Sequence, residues 1–98
     1  MSRQVSVRFT DNQSGAGVNI QVTANGQDQD ASSLLANTAL ASDGYLTSVE
    51  LQSDFQNTTL IVKSNGNQIA QASGNGNNVA QFSRTPISNI TINLSASS

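Results

Sequence analysis

The chain has 98 residues, of which ten are charged for a net charge of −2, and it contains neither histidine nor cysteine. Four scattered cations argue against a phosphate-tracking nucleic-acid surface, and without imidazole or thiol the commonest proton shuttle, soft metal ligand and thiol nucleophile are missing. Ser, Asn, Gln and Thr fill 45 positions against 24 Val, Ile, Leu, Phe and Tyr, a balance that fits one small domain with a neutral polar surface over an aliphatic core.

Strand-like alternation begins at once. Val5, Val7 and Phe9 recur at spacing two with Ser6 and Arg8 between them, which gives one buried and one wet face. Residues 11–17, DNQSGAG, are turn formers and end that strand. Val18, Ile20 and Val22 alternate with Asn19, Gln21 and Thr23 as a second strand, and Asn25-Gly26 is a turn dipeptide. Residues 27–42 are the least patterned: Leu34, Leu35 and Leu40 among alanines suit a loop with a weak strand over 35–40, the reading preferred here, or a two-turn helix. Asp43-Gly44 reads as another tight turn, after which Tyr45, Thr47, Val49 and Leu51 follow with period two.

The second half repeats the pattern. A polar break, QSDFQN, leads into residues 58–63, TTLIVK, the most β-prone stretch of the chain. Left at an exposed edge, that stretch would pair with other chains, a liability that assembly can put to use. Asn65-Gly66 predicts a hairpin into residues 68–72, and SGNGNN over 73–78 a loop. Residues 79–82 and then Ile90, Ile92 and Leu94 supply the last strands, with Pro86 between them and a frayed tail over 95–98. Seven or eight short strands without a long amphipathic helix define an all-β chain, a single antiparallel β-sandwich over residues 1–98.

The order of these features resembles the carboxypeptidase regulatory-like, or transthyretin-like, β-sandwich family. The residues that carry the resemblance are Thr10-Asp11 through Gly15-Ala16-Gly17-Val18, the turn Ser42-Asp43-Gly44-Tyr45, and the apolar run Thr59-Leu60-Ile61-Val62 leading to Asn65-Gly66. The resemblance implies a non-catalytic accessory, adhesive or binding module and carries no functional residue onto this sequence.

Candidate sites are few. Amides and hydroxyls suit sugar hydroxyls as well as protein backbone, so Tyr45 and Asp43 with Asn75, Asn77 and Asn78 of the Gly/Asn loop are the place for a carbohydrate or other ligand. Asp28 and Asp30 form a D-x-D that could contribute to a calcium site, though a solvated acidic loop explains them as well and no EF-hand spacing follows. No cofactor and no catalytic residue is assigned. Lys63, the one lysine, stands mid-strand facing solvent, and Glu50 and Asp54 do not form an obvious carboxylate pair. Asn12, Asn57, Asn89 and Asn93 begin N-x-S/T triplets of the number this composition produces by chance. Phe55, out of strand period, is either a core plug or an exposed anchor for a partner.

No apolar run approaches a membrane span, and the first residues show no apolar signal-peptide core. A reducing interior and an exported or surface assembly are both compatible with a cysteine-free chain. The expectation is a non-enzymatic interaction or structural module that contacts a protein partner or a second copy through loops or a sheet edge. The alternative is a lectin-like domain.

Overall fold

The computed structural model describes residues 3–53 and 56–96. Two four-stranded antiparallel sheets enclose one core. One sheet has the order β2-β1-β4-β7, from β1 (Arg3–Asp11), β2 (Ala16–Ala24), β4 (Tyr45–Ser53) and β7 (Val79–Pro86). The other has the order β3-β8-β5-β6, from β3 (Asp28–Asp30), β5 (Thr58–Ser64), β6 (Asn67–Ser73) and β8 (Ile90–Ala96). Period two decides which side chains enter the core. Val5, Val7 and Phe9 of β1, Leu60 and Val62 of β5, and Ile90, Ile92 and Leu94 of β8 are all essentially inaccessible to solvent. Each such aliphatic or aromatic side chain contributes about 1.5–3 kcal/mol relative to exposure.

Asn65 and Gly66 both take positive φ, 52° and 86°, and close the β5–β6 hairpin, because a turn with two left-handed residues matches the strands' twist. Asn25-Gly26 does a different job: only Gly26 has positive φ, and the chain passes there from the first sheet to the second. The Gly26 N–H donates to Leu94 O at 2.9 Å, and the Gln27 N–H to Asn25 Oδ1 at 3.0 Å.

Between the sheets the structure corrects the preferred reading of residues 27–42. No strand forms over 35–40; instead β3 is followed by two short helices, α1 (Ala31–Leu34) and α2 (Ala39–Asp43). Helices this short are marginal alone, so burial holds them: Leu35 and Leu40 are both at zero exposure in the core. α1 packs on β3 and β8 while α2 packs on β2, β1 and β4, so the pair bridges the two sheets where β3 is too short to do so. Asp43-Gly44 is accordingly a helix terminus and not a strand-to-strand turn. Gly44, at φ 87°, donates its N–H to Leu40 O at 2.8 Å and caps α2 in the left-handed conformation.

Residues 58–63 lie in β5, between β8 and β6, and are not an edge. β8 continues through Ser95 and Ala96, paired with Thr59 and Thr58, into the segment expected to fray. Asp54 and Phe55 lie outside the described residues, and the alternatives drawn for Phe55 with them.

If α2 is a core plug, Leu40→Ala should lower unfolding free energy in urea by about 2–5 kcal/mol, the cost of truncating a fully buried leucine. Leu34→Ala, on a half-buried side chain, should lose only a fraction of that. Equal losses would contradict the bridging role.

Candidate functional site

The charged side chains are distributed in a way that the alternation of β1 foreshadows. Asp11 continues the buried parity of Val5, Val7 and Phe9 and is itself inaccessible to solvent. A carboxylate there needs a partner, and it finds Arg84 from β7, two strands away. Arg84 Nε donates to both carboxylate oxygens at 3.3 and 3.1 Å, and Nη2 to Oδ2 at 2.9 Å. The Gln13 N–H adds a bond to Oδ1 at 3.1 Å. The β4–β7 register makes the reach possible. Leu46 faces Thr85 but Ser48 faces Gln81, so β7 carries two extra residues opposite Thr47, a bulge that turns Arg84 toward β1.

The bonds from Arg84, with the Gln13 N–H, hold the Asp11 carboxyl well below the ordinary carboxylate range, overcoming its burial. Asp11 in turn raises the guanidinium of Arg84. Arg84 Cζ also lies 4.1 Å from the centroid of the Tyr45 ring, a cation–π contact. Asp43 Oδ2 is buried without a hydrogen-bond partner, and Arg84 lies nearby. The assembly ties β1, β4, β7 and the end of α2 together. A carboxylate this firmly ionised is a poor proton acceptor at neutral pH, so the pair acts as a clamp.

The residues proposed for a ligand do not come together. Asp43 ends α2 and Tyr45 begins β4, whereas Asn78 bonds Leu51, six residues along β4 from Tyr45, about 20 Å away at strand rise. Tyr45 remains 38% exposed, but Arg84 covers one face of its ring, leaving less of a platform for a sugar. The loop amides are engaged by other groups of the protein, two of them by residues outside the loop. Asn78 Nδ2 donates to Leu51 O at 2.8 Å, Asn77 Oδ1 accepts from the Val79 N–H at 3.2 Å, and Asn75 Nδ2 donates to Asn57 Oδ1 at 3.2 Å. The Asn77 bond is the short-range contact asparagine makes in turns, while the other two fasten the loop to β4 and to the segment before β5.

Asp28 is likewise occupied. Lys63 Nζ donates to both of its oxygens at 3.2 Å and Asn93 Nδ2 to Oδ1 at 3.0 Å. Those partners, Asn93 foremost, lower its carboxyl. Asp30 precedes α1 and makes no side-chain cap bond. Among the described residues no three His, Cys, Asp or Glu side chains gather as a metal site. A cavity of about 270 Å³ between the helices and the 3-10 turn Ile87–Asn89 is lined by Ser32, Leu35, Ala41, Gly44, Ile87 and Ser88, which offer hydroxyl groups and apolar surface but no ionisable side chain. Among the described residues no helix is long and apolar enough to cross a membrane.

What remains is the pair of edges in each sheet. β3 is three residues long with two aspartates, and β7 carries Arg84, Pro86 and the bulge; both are poor templates for another strand. β2 and β6 carry no charge and no proline over nine and seven residues. β6 is kinked: Val62 faces Ala70 while Lys63 faces Gln68, so Ile69 is an extra residue, left 38% exposed. β2 pairs with β1 without a break. No protein-family description matches the chain, and no curated protein or solved structure is similar to it.

The clamp has a pH signature. Because the folded-state carboxyl of Asp11 titrates below its unfolded value, its contribution is complete above about pH 4 and is lost progressively as the pH falls below that. Asp11→Asn should flatten the acid limb of stability against pH. At neutral pH Arg84→Met, which strands a buried carboxylate, should lower the urea midpoint several-fold more than Lys63→Met, which breaks the more exposed pair with Asp28. Equal effects, or an unchanged acid limb, would contradict the clamp.

Proposed function

We propose that this domain is a non-enzymatic interaction or structural module whose contact surface is a sheet edge, β2 or β6, open to a strand from another protein or from a second copy. The observation that carries the reading is the contrast between edges: β3 and β7 are blunted by shortness, charge, proline or bulging, and β2 and β6 are not charged at all. An edge strand presents a row of N–H and C=O groups, and proteins that do not use such a row normally interrupt it with lysine, proline or a cover. Strand addition uses that row for affinity and the alternating side chains for selectivity. The loop route is less favoured, because Asn75, Asn77 and Asn78 are each bonded to other groups of the protein. The transthyretin-like resemblance, with its implied accessory or adhesive role, agrees with this reading, as does membership of a surface or multimeric assembly.

Selection from a random peptide display library tests the edge directly. Bound peptides should be extended and β-prone, and Gln21→Lys on β2 or Gln71→Lys on β6 should weaken them at least tenfold while leaving the thermal melt unchanged. A library that yields no binder, from a protein that also stays monomeric at every concentration, would sink the reading. Retention on a glycan array abolished by Tyr45→Ala would replace it with the carbohydrate alternative.

A further inference from the structure

Resting on the reading that a sheet edge is the contact surface, we propose that β2 pairs antiparallel with β2 of a second copy of this chain, about a two-fold axis through Ile20. The strand is close to a palindrome in residue character: Ala16, Gly17, Val18, Asn19, Ile20, Gln21, Val22, Thr23, Ala24. A two-fold contact is isologous, so every pairing of one residue with another occurs twice, with the roles exchanged. Turning β2 end for end about Ile20 sets Val18 against Val22, Asn19 against Gln21, Ala16 against Ala24 and Ile20 against its own copy. Aliphatic residues meet aliphatic residues and amides meet amides, so both faces of the sheet continue across the axis without a register conflict.

The structure leaves the matching surface incomplete in one copy. Val22 opposes Val5 and is buried, whereas Val18 and Ile20, on the same face, are only half-buried against the core. The copy's Val22 and Ile20 would cover them. On the other face Arg8 Nη1 donates to Asn19 Oδ1 at 3.1 Å, and its guanidinium lies so close over Gly17 that a Cβ there would approach Nη2 to 2.6 Å. Gly17 thus lets the cation lie beside β2 without adding charge to the strand itself. Gly17 and its copy would stand six positions apart along the paired strands, about 20 Å, so the two guanidinium groups over them lie beyond a screening length of about 8 Å. The Thr23 carbonyl already accepts from Gln29 Nε2 at 2.9 Å, so the pairing centres on residues 18–22.

No other edge has this symmetry. Reversing β6 about Ala70 sets Ile69 against Gln71 and Gln68 against Ala72, and its bulge interrupts the row. β3 would oppose aspartate to aspartate, and β7 holds its proline and bulge.

Two measurements on the full chain test the pairing. In sedimentation velocity the unsubstituted protein should dimerise with rising concentration. Asn19→Lys/Gln21→Lys and Asn19→Asp/Gln21→Asp, each of which sets like charges opposite one another, should weaken the dimer at least tenfold, and an equimolar mixture of the two should restore it. Both positions are exposed, and circular dichroism checks that each variant is folded. Because the chain has no cysteine, Ile20→Cys should give a covalent dimer on mild oxidation and Ile69→Cys should not. A mixture no better than its components, or a covalent dimer through position 69 in place of position 20, overturns the pairing, the second result moving the contact to β6 with the edge reading intact. A monomer at all concentrations also overturns it. If that monomer binds extended peptides at β2, only the second copy is removed; if it binds none, the edge reading falls as well.

Discussion

Backbone hydrogen bonding at the margins of the two sheets is the constraint from which the rest follows. Every outer N–H and C=O of a terminal strand must be satisfied by water or by another strand, and the usual way to keep other strands away is charge or proline. This chain has four cations and one proline. None of the four is carried by β2 or β6: Arg3 bonds Gln56 O and Thr58 Oγ1, Arg8 reaches from β1 to Asn19 of β2, Lys63 bonds Asp28, and Arg84 bonds Asp11. The proline sits at the end of β7. The same economy of charge that leaves a neutral amide surface leaves β2 and β6 without charged guards, and β2 without a bulge as well.

Inside, the few charges that exist are used as pins. Asp11 and Arg84 link the first and fourth strands of one sheet, while Asp28, Lys63 and Asn93 link three strands of the other. The first pair is the more consequential, because its carboxylate is wholly buried and the second pair is partly open to water. It also occupies a face of Tyr45, the one exposed aromatic in the described part of the structure. A ring committed to a guanidinium is positioned by it, which links the electrostatics of the clamp to the end of the core where α2 terminates.

Much of the fold was legible because it rests on period two. The alternations of Val5 to Phe9, Val18 to Val22 and Ile90 to Leu94 all became strands, and Asn65-Gly66 became the hairpin it suggested. The helices were not, since Leu34, Leu35 and Leu40 are too few and too unevenly spaced to show a 3.6-residue stripe; the shortness of β3, which makes a bridge necessary, is a tertiary fact. Asp43-Gly44 shows the same limit, because one dipeptide can end a helix or join two strands. At the candidate site, Asp11 was readable in principle as a charge on the buried parity of β1. Arg84 was not, because its reach depends on a two-residue register slip that β7 alone does not announce. The loop asparagines are ambiguous in sequence for the opposite reason: side chains able to bind a ligand are equally able to bind the protein's own polar groups.

The central claim is that the β2 edge is satisfied by a second β2, and amide hydrogen exchange reads that edge residue by residue. Exchange at alternate amides of residues 18–22 should slow as protein concentration rises from dilute to concentrated, while the outer amides of residues 67–71 in β6 exchange at one rate throughout. Exchange over 18–22 that is fast and independent of concentration would contradict the account.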